Sequence, residues 1–217
     1  MACSGRYAES LDFASMFCVE RLIAGVDAGV GAGHATITDM AGNFIAQHVV
    51  AGSPVLNVTT GVYGVVAVGG VANTQLQLTG VTFSNGNSYL VMPISANERA
   101  TIEHFLNIAA GHIHMALQAA NACTCTITAA GLAYLRDLNC MLAAVRHNCS
   151  CGGVALQSDM RMAYLRHVNE QLALIRDGSI ELCDGYAGKD YPAFGIVERG
   201  WTDATAAQII NNRERSL

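Results

Sequence analysis

The spacing of hydrophobic positions changes character three times along the chain. Residues 7–24 (YAESLDFASMFCVERLIA) place Leu11, Ala14, Cys18 and Leu22 at steps of three and four, which predicts an amphipathic helix. That pattern gives out at Gly25, and the glycine-rich GVDAGVGAG at 25–33 reads as a linker. Between 34 and 93 the texture becomes one of short Thr/Val-rich runs broken by turn residues: ATIT before DMAGN, VLNV before TTG, VYGVVAV before GGVAN, TQLQL before TG, and NSYLVM after SNG. Alternation is plain in Gln75-Leu76-Gln77-Leu78, and β-branched residues dominate elsewhere. About five short antiparallel strands, in a small barrel or sandwich, are expected, closed by Pro93.

From Ser95 the spacing is helical. Ser95 and Glu98 form an S-x-x-E capping box, in which hydroxyl and carboxylate satisfy the N–H groups left unpaired in a helix's first turn. The helix it opens runs to about Asn121 with Ile102, Leu106, Ala109, Ile113 and Leu117 on one face. A second begins near Thr128 and carries Leu132, Leu135, Leu138, Leu142 and Val145. A third begins at Ser158 or Asp159 with Leu165, Val168, Leu172 and Ile175 inward and Arg166, Asn169, Glu170 and Gln171 outward. Asp177-Gly178 is a left-handed stop signal, and Ser179 to Leu182 reads as extended. Three narrow stripes can close a common core.

After Cys183 the periodicity is lost, yet Tyr186, Tyr191, Phe194, Ile196 and Trp201 remain. A tail this rich in aromatics is expected to dock on something. The fold class expected is therefore α+β, mainly a bundle of about four helices with an inserted β-module and an extended arm. The divisions are 1–33 (first helix and linker, part of the bundle), 34–93 (inserted β domain), 94–182 (bundle) and 183–217 (arm).

Composition sharpens this picture. Charged residues make up only 13% of the 217, about half the usual share, while 52% are hydrophobic. Asp39 is the sole Asp, Glu, Lys or Arg between 34 and 93. A surface so poor in charge implies coverage by partners. The formal net charge of −5 argues against a sequence-independent grip on nucleic acid, although not against lining a channel through which DNA slides. No run of eighteen apolar residues predicts a membrane span, and the opening MACSGRYAESLDF lacks the apolar stretch of a signal peptide. The eight cysteines are accordingly read in a reducing cytoplasm, as thiols or metal ligands rather than disulfides.

Candidate chemistry is sparse. Cys123-Thr-Cys125 and Cys149-Ser-Cys151 are two C-x-C pairs flanking the second of these helices, with His147 beside the second pair. Zinc is the metal they would hold, but the helix between them, about 30 Å long, separates its two ends. Half-buried cysteines acting as small apolar residues are the plainer reading. His112 and His114 stand two apart and face different ways, and His104 lies eight from His112 without a carboxylate partner. Glu98 with Glu103, and Glu181 with Asp184, have the plain explanation of capping and solvation. There is no G-x-S-x-G, no phosphate-binding glycine loop followed by Lys, and no H-E-x-x-H. The glycines at 25–33 follow a helix and precede a strand, the reverse of a dinucleotide fold. Arg136, Arg146, Arg161, Arg166 and Arg176 are scattered, fit for a solvated surface or for pairing with a neighbouring subunit. No enzyme is expected.

The helical stretches Ala110 to Leu117, Leu132 to Val145, and Leu172-Ala-Leu-Ile-Arg-Asp-Gly-Ser-Ile-Glu-Leu182 resemble the head–tail connector (neck or tail adaptor) proteins of tailed bacteriophages. The β-region, with Thr36 to Asp39, Asn43-Phe44, Val55 to Val58, Gly61 to Tyr63 and Thr74 to Leu78, looks like a small module of phage virion proteins. The resemblance covers about residues 95–195 well and the β-insert loosely, and the C-x-C pairs are not part of it. It implies a homo-oligomeric ring, commonly dodecameric, between portal protein and tail or tail-nozzle proteins. Double-stranded DNA would pass through its lumen without sequence-specific binding, in a virion assembled in the host bacterial cytoplasm. The alternatives are another virion completion or decoration protein, or a zinc-stabilised binding module.

Overall fold

A computed structural model describes residues 5–120, 122–147, 158–180 and 182–183. The architecture is α+β, an antiparallel sheet preceded by one short helix and followed by three long ones. Among the described residues eight strands form: β1 (Ile23–Val26), β2 (Ala32–His34), β3 (Thr36–Thr38), β4 (Pro54–Asn57), β5 (Val62–Val71), β6 (Gln75–Thr79), β7 (Phe83–Ser84) and β8 (Ser88–Val91). Six of them make one sheet in the order β1-β8-β4-β5-β6-β3, and β2 pairs with β7. In β6 the alternation is realised directly, with Leu76 and Leu78 buried and Gln75 and Gln77 exposed. Ile37, Phe44, Val55, Val66, Leu76, Phe83, Tyr89 and Val91 make up one buried core of this β-region.

All five expected strands are present as β3, β4, β5, β6 and β8. The linker reading of 25–33 is corrected, because β1 and β2 occupy its two ends and belong to the sheets. Gly25 lies opposite Tyr89 across the β1–β8 pair, and a Cβ there would strike the tyrosine hydroxyl and the Asp39 carboxylate. Its glycine is therefore a packing requirement of a strand rather than a sign of slack chain. The sheet is a half-barrel whose edges, β1 and β3, do not meet.

The helices are α1 (Ser10–Phe17), α2 (Ala96–Ala119), α3 (Ala129–His147) and α4 (Ser158–Arg176). The first is shorter than the 7–24 expected, since the backbone leaves helical geometry at Cys18 and makes a 3-10 turn at Val19–Arg21. At the head of α2, Glu98 N–H donates to Ser95 Oγ (3.2 Å) and Ser95 N–H to the Glu98 carboxylate (2.9 Å), as the capping box requires. The α4 stop is a Schellman turn: Gly178, at φ 68°, donates to Ile175 O and Ser179 donates to Leu174 O.

One core unites α1 with the three long helices through Leu11, Phe13, Leu106, Ile113, Leu117, Leu135, Leu142, Val168 and Ile175. Two expectations are revised within it. Leu132 is exposed, and Gln171 is half-buried, its side-chain carbonyl accepting the Tyr134 hydroxyl at 2.7 Å. Asn139 is the polar bolt of this core. Its Oδ1 accepts from Tyr7 N and Ala8 N, both at 3.2 Å, while its Nδ2 donates to Leu106 O at 2.9 Å. A fully buried amide with each of these contacts satisfied joins the N-terminal segment, α2 and α3.

The sheet is fixed to the helices by polar clamps. Arg99 donates to Gly52 O (3.0 Å), Ser53 Oγ donates to Ile94 O (3.1 Å), and Tyr63 of β5 reaches α1. Leu56 and Tyr63 also pack against the helical core.

Candidate functional site

The first candidate grows from the cysteines. Cys125, ahead of α3, forms a disulfide with Cys183, seven residues past the end of α4, across a sequence separation of 58. Their Cα atoms lie 6.0 Å apart, ordinary for a bridged pair. Beside it the chain is zipped by an isolated antiparallel bridge between Ile127 and Cys183 and by a 2.8 Å bond from Thr128 N to Leu182 O. Gly131 makes this possible, since a Cβ there would lie 2.6 Å from Leu182 O and 2.8 Å from Ile127 Cγ2. Leu182 and Cys183, both buried, are thereby clasped to the first turn of α3.

This corrects the thiol reading. Cys18 and Cys123 are disulfide-bonded as well, and Cys140 is the free cysteine among the described residues. Burial pushes the Cys140 thiol up, so it stays protonated and serves as a small apolar side chain. Cys149 and Cys151 lie outside the described residues. With its sulfur committed to Cys183, Cys125 is not a thiolate that could join Cys123 on zinc. Among the described residues no group of three or more His, Cys, Asp or Glu is placed to hold a metal ion.

The histidines are dispersed. Arg146 donates to His112 Nε2 at 3.2 Å, whereas His114 packs edge-on against Tyr7 with ring centroids 5.3 Å apart. Burial lowers the His114 pKa and favours its neutral form. His104 meets Phe105 edge-on, with ring centroids 5.5 Å apart. The carboxylates are engaged structurally: Glu98 caps α2, its pKa lowered by the Ser95 backbone bond, and Glu103 sits between Arg6 and Arg99 at 3.5 Å from each. Glu181 and Asp184 lie outside the described residues.

The second candidate is a surface. The outer side of α4 carries exposed Met160, Met162 and Leu174, and α2 and α3 add Ile108, Met115 and Leu132. On the β-module Val30 and Val68 are 96% and 94% exposed, with Met40 and Ile45 also open. A groove of about 460 Å³ runs along α4 between Met162, Leu165, Arg166, Asn169, Glu170 and Ala173. The outward positions of Arg166, Asn169 and Glu170 agree with the helical spacing, while the methionines and Leu174 were the unread signal: apolar residues standing off the core stripe. The arm residues Tyr186, Tyr191, Phe194, Ile196 and Trp201 lie outside the described residues. No helix among the described residues is long and apolar enough to cross a membrane. No family model, curated protein or solved structure matches this chain.

Proposed function

We propose that this protein is a non-enzymatic structural component of a virus particle, a head–tail connector of the tailed-bacteriophage kind. In this reading copies form a ring between portal and tail proteins and let double-stranded DNA pass through the lumen. The observation that carries the reading is the number of large apolar side chains left open on both halves of a chain with only 13% charged residues. Singly exposed hydrophobics are ordinary, but a surface with so little charge to keep it apart from its neighbours calls for permanent partners. Ring closure needs two different faces that fit each other. Exposed Ile108 and Met115 on α2, and exposed Val30 and Val68 on the β-module, leave apolar side chains open on two different parts of one chain, as such contacts would need.

The disulfide suits this role. Particles assembled in a reducing cytoplasm then persist outside it, where oxidising surroundings let a Cys125–Cys183 bond form and last. The clasp fixes Cys183, the residue that precedes the stretch 184–217 with Tyr186, Tyr191, Phe194, Ile196 and Trp201. In the proposal this arm binds the portal. The test is electron microscopy of the purified full chain alone and mixed with portal protein. Rings, alone or on the portal, support the proposal. A protein that forms no ring in either case overturns it, and decoration of a capsid lattice or tail tube instead would assign it to another part of the virion.

A further inference from the structure

Each advance of four residues along a helix moves about 40° around it, so positions four apart form a continuous ridge. On α4 one such ridge is Met162, Arg166, Glu170 and Leu174, and all four residues are exposed. It lies on the side of the helix opposite the buried Val168 and Ile175. Met162 is 60% and Leu174 40% exposed, so a large apolar side chain stands open at each end of this face. Neither Arg166 nor Glu170 forms an ion pair among the described residues. They also stand in the less favourable order for pairing within a helix, with the cation on the N-terminal side.

The ridge reads apolar, positive, negative, apolar. Turned about a two-fold axis at the level of Val168, it becomes its own complement. Arg166 then meets Glu170 of the second copy, Glu170 meets Arg166, and Met162 meets Leu174 at both ends. Ala163 and Ala173 exchange places under the same rotation, and their small side chains allow the helix axes to approach. The groove of about 460 Å³ between this ridge and Leu165, Asn169 and Ala173 is the space into which a partner's ridge would fit.

We propose that the outer ridge of α4 is the docking surface for the same ridge on a second copy of this chain, giving an isologous dimer. Such a contact closes after two copies and cannot by itself propagate a ring. It is therefore separate from the connector reading and describes the free protein.

The test uses the full chain in sedimentation velocity over a concentration series, with circular dichroism melts to establish that each variant is folded. Wild type sediments as a dimer. Arg166→Glu alone and Glu170→Arg alone each place like charges opposite one another and raise the dissociation constant at least about tenfold. An equimolar mixture of the two single variants restores the dimer, because each supplies the charge the other lacks; pairing within one helix cannot do this. Met162→Asp with Leu174→Asp yields a monomer. A wild-type monomer at every concentration, an assembly whose mass ignores these substitutions, or a mixture that fails to recover would overturn the proposal. A ring indifferent to all of these variants would overturn the dimer while leaving the connector reading intact.

Discussion

Tyr63, in the middle of the sheet, donates a 2.8 Å hydrogen bond to Asp12 of the first helix. The other oxygen of that carboxylate accepts the Glu9 N–H at 2.8 Å, as part of the α1 capping box. One acidic side chain thus both starts the helix and holds it to the β-module. Tyr63→Phe keeps the ring packing and removes the link, at a cost of about 1 kcal/mol. For a chain of this size the melting temperature should fall by about 2–4 °C. A differential scanning calorimetry trace unchanged by the substitution would show that the link is not maintained in solution.

Alkaline pH should destabilise the fold through its tyrosines. Burial raises the pKa of Tyr7 and Tyr134 to about 12, and burial together with the Asp12 and Asp39 bonds raises Tyr63 and Tyr89 further. An unfolded tyrosine ionises near about 10. With the folded value above the unfolded one, the stabilisation is fully present below about pH 10 and is lost as pH rises through the folded values. Melting temperatures measured from pH 8 to 11.5 should hold level on this account and then drop. Absorbance at 295 nm should show these four groups ionising late or together with unfolding. Titration of all seven tyrosines near pH 10 in a still-folded protein would contradict this.

Two helical glycines should respond oppositely to the same substitution. At Gly111 in α2 a Cβ meets nothing within 4 Å, so Gly111→Ala should stabilise by about 0.5–1 kcal/mol through helix propensity. At Gly131 in α3 the Cβ would press on Leu182 O, so Gly131→Ala should destabilise by about 1–3 kcal/mol despite the better helix former. Urea denaturation midpoints of the two variants provide the comparison, and equal shifts would mean that the 182–183 strap does not lie over α3.

The Cys125–Cys183 bond should be recovered as one cross-linked peptide pair in a non-reduced digest analysed by mass spectrometry. Under a chain-entropy account, closing a loop of 58 residues contributes about 4 kcal/mol. Replacing both cysteines by alanine should lower stability by that order and raise protease access beyond Leu182. Free alkylation of both thiols in the untreated protein would refute the clasp.

What could be read locally was read correctly. The capping box at Ser95, the Schellman stop at Gly178 and the alternation in β6 each act within about six residues, so their signals lie side by side in the chain. The strands β1, β2 and β7 escaped because they are two to four residues long and lie among glycines and turn residues. The first helix was over-extended because Cys18 and Leu22 continue its spacing past the point where the backbone turns to meet β8. The residues that make the surface candidate, Met162 and Leu174 above all, were visible as apolar positions off the stripe. Their exposure depended on what the neighbouring helices covered.

By itself the sequence determined that this chain is α+β, where its three long helices lie, and that its β-region carries almost no charge. Only the tertiary structure decided that β1 pairs with β8, that Cys125 bonds to Cys183, and that one ridge of α4 is left open. The physical reason is the range of the forces. Propensity, capping and alternation are settled among near neighbours. The entropy of loop closure varies only with the logarithm of loop length, so spacing along the chain cannot select which distant segments meet. That choice belongs to packing, which brought Leu182 and Cys183 onto α3 and left the Met162 to Leu174 ridge facing outward.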